Sequence, residues 1–182
     1  MSIFKDSAII LKIQKDSNKN FIYTLFSLKF WKIIAVKKFS NKEKNLDLWF
    51  HINYEIKTSQ QINKISNIKI INEFNLLNKN FIQINNYLLL LNTILKKTPF
   101  WVENTEIFEI INIINKYNNP DIELKITLAQ LKIINILWEL DINNKNQTIS
   151  KILKFISQNN FWKIIKLTWI NENIKKELQE IL

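Results

Sequence analysis

Cysteine, glycine and arginine are all missing from this chain of 182 residues, histidine occurs once and proline twice. Without cysteine there is no disulfide, no thiol nucleophile and no Cys-ligated zinc. Without glycine no phosphate-cradling loop of the P-loop or dinucleotide type can be written. The single histidine, His51, sits in the strand-like run Trp49–Tyr54, a place on a sheet face rather than at a catalytic centre. Long apolar runs are missing too: none reaches the ~18 residues of a membrane span. The N-terminus lacks the basic start, apolar stretch and small-residue cleavage site of a signal peptide. The expectation is an intracellular, soluble protein that is not an enzyme and holds neither metal nor cofactor.

What is present is lysine, isoleucine and asparagine, the pattern of coding sequence poor in G and C. All 26 basic residues are lysine, against 16 acids, for a net charge of +10. Composition drift can supply part of that charge, so its distribution carries more than its total. Residues 1–80 hold 14 lysines and six acids, net +8, whereas residues 81–182 hold 12 and ten, net +2. Drift loads both halves alike, so the asymmetry points to a polyanion-binding N-terminal half.

The two halves also differ in period. Residues 7–13, 21–27 and 32–38 are short runs rich in Ile, Val, Phe, Tyr and Thr, the first two separated by the polar cluster Asp16–Asn20. Such runs read as strands of a small meander. After the polar loop Phe39–Asn45, segments 46–58 and 62–74 give two more strands, with a bulge or break expected near Ser66-Asn67. From Asn80 the apolar residues Phe81, Ile84, Tyr87, Leu88, Leu91, Ile94 and Leu95 recur at helical steps. Thr98-Pro99 ends that helix. Further helices are expected from Asn104 or Thr105 to Tyr117, from Asp121 to Leu137, and over 148–155, 161–169 and 171–182. Glu103, Glu106 and Glu109 suit the start of a helix, where they favour its dipole. The expected fold class is α+β, strands then helices: a five-stranded barrel over residues 1–76 and an all-helical domain over 77–182, with 47% hydrophobic residues to fill them.

In order along the chain, Ala8-Ile9-Ile10-Leu11-Lys12, Tyr23-Thr24-Leu25-Phe26-Ser27 and Trp31-Lys32-Ile33-Ile34-Ala35-Val36-Lys37-Lys38 resemble the N-terminal strands of the RecO family of DNA repair and recombination mediators. The stretch Leu128–Trp138 is similar to a helix of that family. The likeness is specific over the first 40 residues and loose after about residue 140. Where many members carry a four-cysteine zinc module, this chain has the polar loop Asp141–Gln147. The resemblance selects an OB-type barrel among small barrels. It implies binding of single- and double-stranded DNA, annealing of complementary strands and help in loading recombinase. It also implies a cytoplasmic, nucleoid-associated protein whose partners are a RecR-like protein and the acidic C-terminal tail of single-stranded DNA-binding protein.

The residues expected to contact DNA are Lys29, Lys32, Lys37, Lys38, Lys42 and Lys44, opposed only by Glu43, joined by Lys12, Lys15 and Lys19. Cationic grooves with stacking aromatics bind single strands without sequence preference. Phe21, Tyr23, Phe26, Phe30 and Phe39 lie among the lysines, although Phe21, Tyr23 and Phe26 read first as core. Two apolar faces beside lysines are candidates for a partner's tail, one around Leu91, Leu95, Lys96 and Lys97, the other around Leu128, Leu131 and Lys132. The alternative readings are a generic OB-fold RNA-binding or ribosome-associated protein, and a helical adaptor with an incidental β domain.

The missing glycine stands beside six tryptophans, Trp31, Trp49, Trp101, Trp138, Trp162 and Trp169. Ordinary usage would give a chain of this length about a dozen glycines. Trp31 stands in a turn where the RecO-like pattern has glycine, and Trp138 follows a helix at the position that favours a left-handed residue. Two readings stay open: aromatic anchors at element boundaries, or glycine codons of the type UGA rendered as tryptophan.

Overall fold

The computed structural model describes residues 3–17, 19–38, 46–58, 62–73, 80–100, 102–117 and 121–182. Among these residues, five strands precede six helices. The strands are β1 (Ile3–Lys15), β2 (Phe21–Ser27), β3 (Trp31–Lys37), β4 (His51–Lys57) and β5 (Asn63–Asn72). The helices are α1 (Phe81–Lys97), α2 (Thr105–Lys116), α3 (Ile122–Ile136), α4 (Gln147–Gln158), α5 (Phe161–Ile164) and α6 (Glu172–Glu180). The chain divides into two compact units, one of residues 1–78 and 98–108, the other of 79–97 and 109–182. Residues 98–108 thus group with the strands, although helix α1 precedes them, and the expected polar loop 39–45 lies outside the described residues.

In the first unit the strands pair in the order β1-β2-β3-β5-β4, and β4 returns to β1, so the sheet closes on itself. All pairings are antiparallel except β3 with β5. Alternation places Tyr23 and Leu25 of β2, Ile33 and Ala35 of β3, Ile52, Tyr54 and Ile56 of β4, and Ile65 of β5 in one core with Ala8 and Ile10. Strand β1 breaks the alternation: Ala8, Ile9, Ile10 and Leu11 are all buried. A bulge lies between Ile10 and Lys12, and the outer face beside Ile9 is covered. Ile9 lies opposite both Phe26 and His51, and the Phe108 ring stacks on Phe26 and meets His51 edge-on. An apolar run covered on both sides shows no period of two.

Strand β4 is shorter than the sequence suggests. Residues 46–50 form a turn in which the Phe50 N–H donates to the Asp47 carbonyl (3.4 Å) and the Trp49 N–H to the Ile10 carbonyl (2.8 Å). The irregularity expected near Ser66-Asn67 is a register shift between β4 and β5, with Asn67 at φ 49°.

In the second unit α3 is the hub against which α1, α4, α5 and α6 pack. It is buried almost all round, from Ile122 to Ile134, including Lys125 and Lys132. Helix starts use the asparagine that the composition supplies. Asn80 and Gln83 form a reciprocal capping pair at α1 (2.9 and 3.1 Å). Asn146, Asn160 and Asn171 each accept a backbone N–H at the start of α4, α5 and α6. Residues 165–169, expected to be helical, lie outside α5 and leave it a single turn. No helix among the described residues is long and apolar enough to cross a membrane.

Acid should loosen this unit. For Asp121, burial pushes the carboxyl up, but hydrogen bonds from Lys125 and Tyr117 outweigh it and hold the group below its ordinary value. The Lys175 hydrogen bond does the same for Glu123, with help from Gln179. A carboxylate depressed in the folded state contributes stability that is complete above its unfolded pKa, about 4, and is lost as pH falls through the folded value. The urea midpoint of the helical dichroism should therefore hold steady from neutrality to about pH 5 and fall below about pH 4. The variant Glu123→Gln should show a shallower fall, and an equal fall would remove Glu123 from the account.

Candidate nucleic-acid interface

The turn joining β1 to β2 begins with Asp16, whose carboxylate accepts from the Asn20 backbone N–H (2.8 Å) and side-chain amide (2.9 Å). The acid closes its own turn and leaves Lys15 and Lys19 exposed on either side. The Lys15 ammonium stands 5.2 Å from the centroid of the Phe21 ring, within cation–π range. Pairing then extends the charge across the sheet. Lys15 lies opposite Phe21, and Phe21 opposite Lys37. One position back on β3, Val36 lies opposite Lys64, and Lys64 opposite Lys57. The row Lys15–Phe21–Lys37 shares the core-facing side of its strands with Tyr23 and Ala35, whereas the step back to Val36 changes face and puts Lys64 and Lys57 on the outer side. Lys38 is exposed just beyond β3.

Lys37 is half-buried, and burial lowers its pKa. Lys57 and Lys64 are exposed because their neighbours Ile56 and Ile65 point into the core. Beside the row, the outer face of β2 and β3 carries Ile22, Thr24, Ile34 and Val36, with exposed Lys12 opposite Thr24 on one flank. Ile34 is 49% exposed. Among the described residues, two acids lie close by and both are engaged: Asp16 as described, and Glu55, which accepts from Asn67 (2.7 Å) and sits 3.9 Å from Lys5.

The structure divides the lysines that the sequence groups together. Lys32 and Lys37 are at opposite ends of β3, five residues or about 17 Å apart. Lys32 is 4% exposed; its ammonium donates to the Thr98 carbonyl and lies 4.5 Å from the Phe100 ring centroid. That burial withdraws it from any surface contact and lowers its pKa. Lys29 is exposed beside the β2–β3 turn and donates to the Lys5 carbonyl (3.1 Å), away from the row. Lys42 and Lys44 lie outside the described residues. Lys57 and Lys64, which sequence reasoning missed, form a second exposed pair that the parallel pairing of β3 with β5 sets beside Val36, and no local pattern announces that pairing.

The aromatics sort in the same way. Tyr23 is core, its phenol pushed up to about 12 by burial. Phe26 is covered by Phe108, and Phe30 packs edge-on against Phe4 (5.7 Å). Phe39 lies outside the described residues. Of the four described, only Phe21 is placed between lysines, and it too packs against the core, stacked on Tyr23 at 6.0 Å. His51 has Nε2 2.6 Å from the Ser7 hydroxyl and the Phe108 ring at its edge, a packed position on the sheet.

In the helical unit, one of the two expected partner faces is ordinary core: Leu128 and Leu131 are fully buried, and the Lys132 ammonium points to the Ile156 carbonyl (3.5 Å). Of the other, Leu91 is buried core as well, and only Lys96 and Lys97 line a cleft, of about 430 Å³, with Leu89, Thr93, Ile134 and Leu182. Lys97 pairs there with Glu139 at 2.5 Å.

No protein-family model matches this chain, and no curated protein matches it. The reading of the site therefore rests on its own geometry and on the resemblance of the quoted strands.

Proposed function

We propose that the chain is a RecO-like mediator of DNA repair and recombination, which binds single- and double-stranded DNA, anneals complementary strands and assists recombinase loading. The observation that carries this reading is that strand pairing sets Lys15 and Lys37 on either side of Phe21 and sets Lys57 beside Lys64 on the outer face of β4 and β5. Closure of the sheet in the order β1-β2-β3-β5-β4 supports an OB-type barrel. In that fold the β2–β3 face and the β1–β2 and β4–β5 loops take oligonucleotides. Lys15 and Lys19 flank the first of those loops, and Lys57 and Lys64 the second.

Lysine ammonium groups release condensed counterions when they meet phosphates, so these lysines supply affinity without reading sequence. Two strands held on such a surface repel each other less, and their encounter rate rises without any covalent step. The helical unit, with the RecO-like stretch 128–138 in and after its hub, favours this reading over an isolated OB module. Its cleft beside Lys96 and Lys97 suits the acidic tail of single-stranded DNA-binding protein, and a RecR-like protein is the second partner implied.

The test is annealing of complementary oligonucleotides coated with single-stranded DNA-binding protein. Acceleration at stoichiometric protein is expected. Tight RNA binding with no acceleration of DNA annealing would replace the proposal with an RNA-binding OB protein.

A further inference from the structure

Five described residues have positive φ: Lys19, Trp31, Trp49, Asn67 and Trp138. Three of the five described tryptophans are therefore left-handed, against one lysine and one asparagine among all the other described residues. Asparagine visits that region readily, but a bulky side chain there is an outlier.

Each of the three occupies a place that its local motif reserves for glycine. Trp138 (φ 61°) follows α3. Its N–H donates to the Asn135 carbonyl (3.0 Å) and the next N–H, of Glu139, to the Ile134 carbonyl (3.0 Å). Those two bonds define the Schellman ending, whose left-handed residue is usually glycine. Trp49 (φ 68°) is the third residue of the turn 47–50, closed by the Phe50 N–H on the Asp47 carbonyl. A positive φ at that position makes glycine the residue a type II turn demands. Trp31 (φ 57°) follows the three-residue connection 28–30, opposite Ser27. Short hairpin connections of this kind close on a left-handed glycine.

The indoles do not explain the positions. The Trp138 side chain is 95% exposed, so it anchors nothing. The Trp31 indole N–H is buried without a hydrogen-bond partner, although a buried indole normally finds one. Trp49 is 3% exposed, yet its enclosure is bought by a backbone conformation that a Cβ opposes. A chain with no glycine at all thus places tryptophan at three unrelated left-handed corners.

We infer that residues 31, 49 and 138 are glycine in the protein its own cell makes, because the gene uses UGA as a glycine codon. Trp162 and Trp169 are more than half exposed and are not left-handed. Glycine is compatible with both, and the same codon would convert them too.

The inference is tested on protein purified from its own host. Digestion after lysine yields peptides 45–57 and 133–145, which carry positions 49 and 138. Peptide masses corresponding to glycine are expected, together with UGA at codons 31, 49 and 138. A tryptophan mass in either peptide, or UGG at any of the three codons, overturns it. Recombinant protein gives an independent readout. Trp31→Gly, Trp49→Gly and Trp138→Gly should each raise Tm, by roughly 2–4 °C per position. If tryptophan is native, Trp49→Gly instead opens a void in a packed site and lowers Tm. A fall at that position would overturn the inference as firmly as a tryptophan mass.

Discussion

Replacing Lys15, Lys37, Lys57 and Lys64 together with glutamine is expected to weaken binding of a single-stranded oligonucleotide about a hundredfold at physiological salt. The slope of log K against log salt should flatten by about 3, at ~0.7 per phosphate contact on a single strand. Glutamine keeps most of the side-chain length and removes the charge, so packing changes little. These four lysines follow the strand pairing and not the order of the chain: Lys15 and Lys37 flank Phe21, and Lys57 lies opposite Lys64. Lys29→Gln serves as the comparison, because that ammonium donates to the Lys5 carbonyl beside the β2–β3 turn. It should change the slope by less than a single contact. If Lys29→Gln matches any one of the four substitutions, or if the quadruple variant leaves the slope unchanged, binding follows net charge and these lysines form no interface.

The second large effect is expected in the helical unit. Lys125 is completely buried on α3, its ammonium 3.0 Å from the Asp121 carboxylate and 2.6 Å from the Leu167 carbonyl. Asp121→Ala leaves that charge enclosed with a carbonyl and no counter-ion, at a cost of about 3 kcal/mol. For a chain of this size that is a fall in Tm of roughly 6–12 °C. Lys125→Met fills similar volume without a charge to satisfy, and should be close to neutral or stabilising. Thermal melts followed by helical dichroism distinguish the two. A loss within about 0.5 kcal/mol for Asp121→Ala, the range of ordinary surface changes, would show that water reaches the ammonium.

Much of the local structure is legible in the sequence. Strand β2 and the Asp16–Asn20 turn fall where alternation and turn residues place them, and β3 falls within a residue of its expected span. Helix α1 ends at Lys97, before Thr98-Pro99, and α2 and α3 follow their apolar spacing. The order of strands then helices follows from those periods. All of these depend on neighbours within a few residues, where side-chain period, caps and proline act. The left-handed corners belong here as well: the missing glycine and the placing of tryptophan at boundaries are visible before any coordinates.

Other features are set by contacts between distant parts of the chain. The sequence runs Leu46 to Thr58 as one strand, but Trp49 bonds to Ile10 and the strand begins at His51. Lys32 looks like its neighbours until Thr98 and Phe100 enclose it, and Lys132 until the carbonyl of Ile156 accepts it. Lys64 is set beside Val36, one position from Lys37 and on the opposite face, because β3 pairs parallel with β5. The sequence by itself determined that strands precede helices, most of their spans, and that the positive charge lies in the first half. Tertiary structure decided which lysines share a surface, because a strand's own period fixes the face of each side chain while its neighbours are fixed by pairing with residues far away in the chain.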